Sequence, residues 1–255
     1  MDERVAVITG GSSGIGAALA RELTAQGWRC VLVARGEERL RELASELGGE
    51  AEVCDVGDRA AVDALAARVT ERHPRVKLLV NNAGIPARAD FVHGDPERIE
   101  AVTRVNYLGS VWCLRAFLPA LQAAAPADVV NVVSVAGTVA IPPSGPYAAS
   151  KHAQLAFSRA TAAQLRRGGI RVHTILPGFV ETPGFPQRGV IPRAFWWTII
   201  GPERIARSIL AAVRRDRRES YVPWWYRPVA ILQALVPSLM ARVLARGQYG
   251  GPGAA

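Results

Sequence analysis

Short apolar runs alternate along this chain with longer stretches whose apolar positions recur at helical spacing. The runs "RVAVITG" (4–10), "RCVLVA" (29–34), "AEVCDV" (51–56), "KLLVNNAG" (77–84), "DVVNVVS" (128–134) and "IRVHTILPG" (170–178) are mostly Val, Ile and Leu. They lack the in–out alternation of a half-solvated sheet, so both of their faces are expected to lie under helices. The intervening periodicity predicts helices over 14–26, 36–47, 58–72, 147–166 and 202–214. Leu40, Leu43 and Leu47 share one face of the second. A long helix is predicted from Asp95-Pro96-Glu97, where an acidic N-cap precedes a proline at the first helical position. A short strand, "SYVP" (220–223), closes the series. Strict strand–helix alternation with right-handed crossovers gives an α/β fold with a doubly wound parallel sheet. Residues 1–225 form its single domain, and 226–255 read as a C-terminal amphipathic helical extension with a flexible tail.

Composition narrows the class. With 255 residues, 49% apolar and 21% charged, the chain can bury a sizeable core and does not read as disordered. Met1-Asp2-Glu3-Arg4 leads straight into the first strand without the apolar stretch of a signal peptide. Cys30, Cys54 and Cys113 are scattered and read as buried apolar side chains in a reducing cytoplasmic compartment. His73, His93, His152 and His173 share no metal-ligand spacing, so no metal is expected. The net charge of +9 raises the question of nucleic acid. The excess is nearly all arginine, Lys77 and Lys151 being the two lysines, and it is local. Beyond Gly201, Arg204, Arg207, Arg214, Arg215, Arg217, Arg218, Arg227, Arg242 and Arg246 stand against Glu203, Asp216 and Glu219. The body is close to neutral, and no nucleic-acid partner is expected.

Ligands of such sheets bind beyond the carboxyl ends of the strands. "TGGSSGIG" (9–16) follows the first strand and opens the first helix, with Gly10, Gly14 and Gly16 in the pattern GxxxGxG. The glycines permit a tight turn and close backbone approach, and the helix N-terminus offers free N–H groups to a pyrophosphate. Ser12 and Ser13 add hydroxyls, and Ile15 lies in the same turn. This placement points to a dinucleotide. An acid at the end of the second strand would hydrogen-bond the ribose of NAD, whereas an arginine would receive the 2′-phosphate of NADP. Arg35 stands there, and its planar guanidinium suits a phosphate. NADP(H) is therefore expected over NAD(H), the bland alternative being a solvated arginine beside Glu37 and Glu38. Asp55-Val56 ends the third strand. Its carboxylate would accept from the adenine amino group or cap the next helix. Asn82, Ala83 and Gly84 end the fourth and would order the backbone beside the cofactor.

Ser134 ends the fifth strand, and Tyr147 and Lys151, four apart, share a helix face. A phenol near pKa ~10 is a poor base at neutral pH. A neighbouring lysine cation is expected to lower that value, giving a proton donor or acceptor for a carbonyl–alcohol pair. TGGSSGIG, Asp55, NNAG, Asn106, Ser134, YAASK (147–151) and PGFVET (177–182) stand in an order and spacing that resemble the short-chain dehydrogenase/reductase family, over residues 3–225. The resemblance implies a Rossmann fold with Tyr147 as acid/base. Lys151 would lower its pKa and hold the nicotinamide ribose, and Ser134 would position the substrate oxygen. It implies that Asn106 completes a water relay to Lys151, and that Pro177, Gly178, Val180 and Thr182 contact the nicotinamide side. It also implies a homodimer or homotetramer through the helices starting at Asp95 and Tyr147. Ala148, Ala149, Ala153, Ala156, Ala160, Ala162 and Ala163 would permit that contact.

The substrate side is expected in "GTVAIPPSGP" (137–146) and in a lid over about 183–200. The lid carries Phe185, Ile191, Phe195, Trp196, Trp197, Ile199 and Ile200. It lacks an acid, and although Arg188 and Arg193 leave a charged substrate open, the expected one is a mainly apolar carbonyl or alcohol: a steroid, retinoid, polyketide or lipid. Two other readings remain open at this point: a catalytically silent sensor of NADP(H), and a membrane-associated scaffold. In the tail, Val229, Leu232, Leu235, Val236, Leu239, Met240, Val243 and Leu244 recur at helical spacing after Trp224-Trp225-Tyr226, with Gln233, Ser238, Arg242 and Arg246 as the polar remainder. Fourteen residues between Arg227 and Arg242, broken by Pro228 and Pro237, are too few to span a bilayer. The face fits peripheral membrane contact, the substrate pocket or a second subunit.

Overall fold

The computed structural model describes residues 3–87, 90–140, 144–189 and 191–246, the side chains of 243–246 excepted. Four stretches singled out above therefore lie outside the described residues. They are Ile141–Pro143 of the loop after Ser134, Val190 of the lid, the side chains of Val243, Leu244 and Arg246, and the tail 247–255.

Each apolar run becomes a strand: β1 (Val5–Thr9), β2 (Arg29–Ala34), β3 (Glu50–Val53), β4 (Leu78–Asn81), β5 (Ala127–Val132), β6 (Ile170–Pro177) and β7 (Glu219–Val222). Among the described residues these form one parallel sheet in the order β3-β2-β1-β4-β5-β6-β7. The order reverses between β1 and β4, which opens a crevice at their carboxyl ends. The helices are α1 (Gly14–Thr24), α2 (Glu37–Glu46), α3 (Arg59–Arg72), α4 (Pro96–Thr103), α5 (Gly109–Ala123), α6 (Gly145–Leu165), α7 (Pro202–Arg214), α8 (Tyr226–Leu235) and α9 (Pro237–Arg246).

The apolar pattern divides the strands between two cores. Ala6 and Ile8 face one way, onto Leu19, Leu23, Leu40 and Ile209. Val5 and Val7 face the other, onto Leu65, Phe117 and Leu121. Full burial of each such Leu or Phe is worth about 1.5–3 kcal/mol, which is why the sheet requires helices on both faces.

Three differences from the periodicity have physical causes. The long helix from Asp95 is not uniform. Asp95 caps it by accepting from the Glu97 amide at 3.0 Å, but residues Arg104–Leu108 take π geometry between α4 and α5. Asp55 does not cap α3. Asp58 does, its Oδ1 accepting from the amides of Ala60 (2.9 Å) and Ala61 (3.3 Å). The tail is two helices, because Pro237 has no N–H to continue α8 and instead starts α9. Ala230 alone of the described α8 residues is buried, so the broad apolar face is largely uncovered.

Candidate active site

The glycine turn is built by contacts only glycine allows. A Cβ on Gly16 would lie 2.3 Å from the Gly10 carbonyl oxygen, and Gly10 and Gly14 hold φ of +65° and +54°. The turn is tied to the end of β4 through Thr9. Its hydroxyl accepts from the amides of Asn82 (3.0 Å) and Ala83 (3.1 Å) and donates to the Val80 carbonyl (3.1 Å). The Asn82 amide donates back to the carbonyls of Thr9 (2.9 Å) and Gly10 (3.2 Å). Ser13, the N-cap of α1, makes no side-chain cap bond, so the first amides of the helix stay directed at the crevice. A Cβ on Gly14 would touch Thr182 Cγ2 at 3.0 Å, so these strand ends approach closely across the same crevice.

The crevice is a cavity of about 1130 Å³. That exceeds what one drug-sized ligand needs and leaves room for a dinucleotide with a second molecule. Its wall includes Gly10, Ser12, Ser13, Gly14 and Ile15 at one end, and Arg35, Asp55 and Val56 beyond them. Asn82, Ala83 and Gly84 follow, then Ser134, Tyr147, Lys151, Pro177, Gly178, Val180 and Thr182. Two predicted positions stand behind this wall. Gly16 underlies the turn. Asn106, fully buried in the π segment, fixes the Ile85 backbone: its Oδ1 accepts from Ile85 N (2.8 Å), and its Nδ2 donates to Ile85 O (3.1 Å) and Ser150 Oγ (3.1 Å).

Arg35 and Asp55 form an open ion pair at 3.9 Å. Asp55 Oδ1 accepts from the Gly57 amide at 2.9 Å, which leaves its other oxygen toward Arg35.

The expected electrostatics of Tyr147 and Lys151 need correction. Burial pushes the phenol up to about 12, opposed by the hydrogen bond from Ser134. Burial likewise pulls the Lys151 ammonium down to about 7. Desolvation therefore outweighs any lowering of the phenol by the lysine, and Tyr147 holds its proton. Lys151 has three donors. Two are taken from behind, by Val132 O at 3.1 Å and Gln154 Oε1 at 2.8 Å, and one remains for the cavity. Gln154 is itself fixed by donating to Ser110 Oγ at 2.8 Å.

On the substrate side the lid divides. Phe185 packs on Tyr147 with ring centroids 5.9 Å apart, and Phe185 and Ile191 line the cavity. Phe195, Trp196 and Trp197 face outward instead of covering the ligand space. The turn at Thr182–Phe185 and the Glu181 carboxylate, accepting from the amides of Gln187 (3.0 Å) and Arg188 (3.1 Å), shape the loop.

The tail completes the wall with Tyr226, Val229 and Met240. Tyr226 packs against Phe179 at 6.3 Å and fills the space over Gly178, where a Cβ would lie 2.1 Å from the ring. Overpacking of this kind costs about 1–3 kcal/mol. Gly178→Ala is expected to displace Tyr226 and loosen α8, seen as faster limited proteolysis of the tail. Wild-type cleavage would show that the ring is not wedged.

Thr9, Gln154 and Tyr226 are the positions the sequence reading missed. Thr9 stands at the head of the glycine motif, and Gln154 is three residues past Lys151 on the same helix face, so both had a local signal. Tyr226 meets Gly178 only through the fold.

A family model for short chain dehydrogenases matches residues 4–189. Dehydrogenase/reductase SDR family member 7B of Danio rerio is 31% identical over 267 residues, covering 96% of this chain and 85% of that one. A solved short chain dehydrogenase from Burkholderia cenocepacia in complex with NADP superposes with a TM-score of 0.82 at 28% identity, covering 95% of this chain and 98% of the other. One from Burkholderia phymatum in complex with NAD gives 0.84 at 27% identity, over 100% and 99%.

Proposed function

The chain belongs to the short-chain dehydrogenase family and is an NAD(P)-dependent oxidoreductase, and from that premise we propose that it interconverts a carbonyl and an alcohol on a mainly apolar small molecule, using NADP(H). One observation carries this reading. Ser134, Tyr147 and Lys151 meet at the cavity that the glycine turn opens into, with apolar Phe185, Ile191, Val229 and Met240 on its other side.

The nicotinamide supplies or accepts the hydride. The protein's own residues manage the proton and the geometry. The Tyr147 phenol, protonated at neutral pH, is the acid toward a carbonyl oxygen, and Ser134 holds that oxygen in reach. The remaining Lys151 donor would hold the nicotinamide ribose. Asn106 orders the backbone from Ile85 and stands between it and α6. At the other end the N-terminus of α1 would hold the pyrophosphate, Arg35 the 2′-phosphate, and Asp55 the adenine amino group. Pro177, Gly178, Val180 and Thr182 would contact the nicotinamide side. The small residues Ala149, Ala156, Ala160 and Ala163 lie exposed along one stripe of α6 and support contact with a second copy, whereas Ala148 is buried within the subunit.

The reading is tested by following NADPH oxidation with ketosteroids, retinal, long-chain aldehydes and β-ketoacyl thioesters. Turnover confined to charged, water-soluble carbonyls would overturn the apolar substrate. Tight cofactor binding with no turnover on any compound would favour a silent sensor.

A pH profile tests the lysine. The Lys151 cation is lost as pH rises through about 7, so kcat/KM for the cofactor is expected to fall through that region. Gln154 accepts from the ammonium and so favours the charged form. Gln154→Leu is expected to move the falling limb to lower pH, and Gln154→Glu to move it higher. If neither variant moves the limb, Gln154 does not position the lysine.

A further inference from the structure

The outward aromatics of the lid and the tail form a single surface. Trp197 and Trp225 lie 6.0 Å apart, and Trp224 and Trp225 6.4 Å apart. Trp224 is 72% exposed, Trp197 68% and Leu235 74%, and Ile231 and Leu239 are also open to water. Monomeric proteins seldom leave a patch of this kind uncovered unless it has a partner. Arginines edge it. Arg188 and Arg193 lie over the Trp196 ring at 5.8 and 5.6 Å, and Arg204 lies over Trp225 at 5.9 Å. Arg227 and Arg242 are exposed on the tail helices. The sequence has no acidic residue from Thr182 to Pro202 and none from Ser220 to Ala255.

This charge pattern selects the occupant. A second copy meeting the same face would set these five arginines against their counterparts, with Glu181 and Glu203 as the carboxylates that flank the lid in the sequence, and the excess of like charge repels. Among the described residues no helix is long and apolar enough to cross a bilayer. A surface of anionic phospholipid satisfies both halves at once: tryptophans at headgroup level, apolar side chains just below, and guanidiniums on phosphates. We infer that the lid and the paired tail helices dock on an anionic phospholipid surface. The same two helices carry Val229 and Met240 of the cavity wall, so the docked face opens the site toward the lipid and an apolar substrate enters without crossing water. That access route rests on the substrate class proposed above; the docking itself does not.

The full chain is sedimented with phosphatidylcholine vesicles and with vesicles containing one-third phosphatidylglycerol, at low and high salt and without substrate. Binding to the anionic vesicles, weakened at least fivefold by salt and accompanied by a blue shift of tryptophan emission, is the expected result. A variant combining Trp224→Ser, Leu235→Ser and Leu239→Ser, all exposed positions outside the cavity wall, should bind at least tenfold more weakly. It should keep wild-type turnover of a water-soluble carbonyl and lose turnover of a long-chain carbonyl presented in vesicles. A chain that stays in the supernatant with both vesicles overturns the inference, as does a variant that binds like wild type. A wild-type dimer that the same substitutions convert to monomer, without vesicle binding, assigns the face to a second copy and overturns it too. Vesicle binding with no carbonyl turnover leaves docking standing and removes the proposed reaction instead.

Discussion

Tyr147→Phe is expected to abolish measurable turnover while NADPH binding stays within about twofold of wild type. The substitution deletes one oxygen and leaves the ring. The packing of that ring on Phe185 at 5.9 Å and its distance of 6.0 Å from the Lys151 ammonium would persist, so the wall keeps its shape. What disappears is the proton that burial holds on the phenol up to about pH 12. A positioned general acid contributes typically 10²–10⁴-fold, and loss of that order in kcat is expected. Steady-state rates together with a fluorescence titration of NADPH separate the two effects. A Phe variant within tenfold of the wild-type rate would remove Tyr147 from the chemistry. Loss of both rate and binding would show that the hydroxyl is structural.

Arg35→Asp is expected to raise the KM for NADPH by about 10- to 100-fold and to lower that for NADH. The range follows from the ~1.5–3 kcal/mol of a hydrogen bond to a charged group. Arg35 is well placed to be recruited. Its side chain is 61% exposed and its pairing with Asp55 is a long 3.9 Å contact. Exposed pairs of this kind contribute about 0–1 kcal/mol, so a phosphate can displace the carboxylate with little loss. In the variant, the new carboxylate would stand where the guanidinium was, repelling a 2′-phosphate and offering an acceptor to a 2′-hydroxyl. Equal KM values for both dinucleotides before and after the change would rule out Arg35 as the discriminating residue.

The sheet was legible because a strand buried on both faces has little choice but to be a run of Val, Ile and Leu. The order of those runs, with helices between, leaves few topologies. The glycine turn, Ser134, Tyr147 and Lys151 were legible for a related reason, since their geometry is local to a strand end or to one helix turn. Electrostatics were not. That Lys151 would be stripped of solvent, and held from behind by Gln154 and Val132, depends on what the fold stacks around it. The same holds for the tail. Its helical spacing named the apolar residues but could not say which side of the surface they would occupy. Met240 turned inward to the cavity and Leu239, its neighbour, outward. The π segment around Asn106 had no signature, because it arises where the helix must serve both the core and the Ile85 backbone.

The cavity takes one wall from residue 10 and another from residue 240. The nucleotide turn and the far wall therefore come from segments distant in sequence, which meet only once the sheet between them has formed. A substitution at Val229 or Met240 would reshape the far wall and leave the glycine turn untouched. The two walls can therefore change independently of each other, although they enclose one cavity.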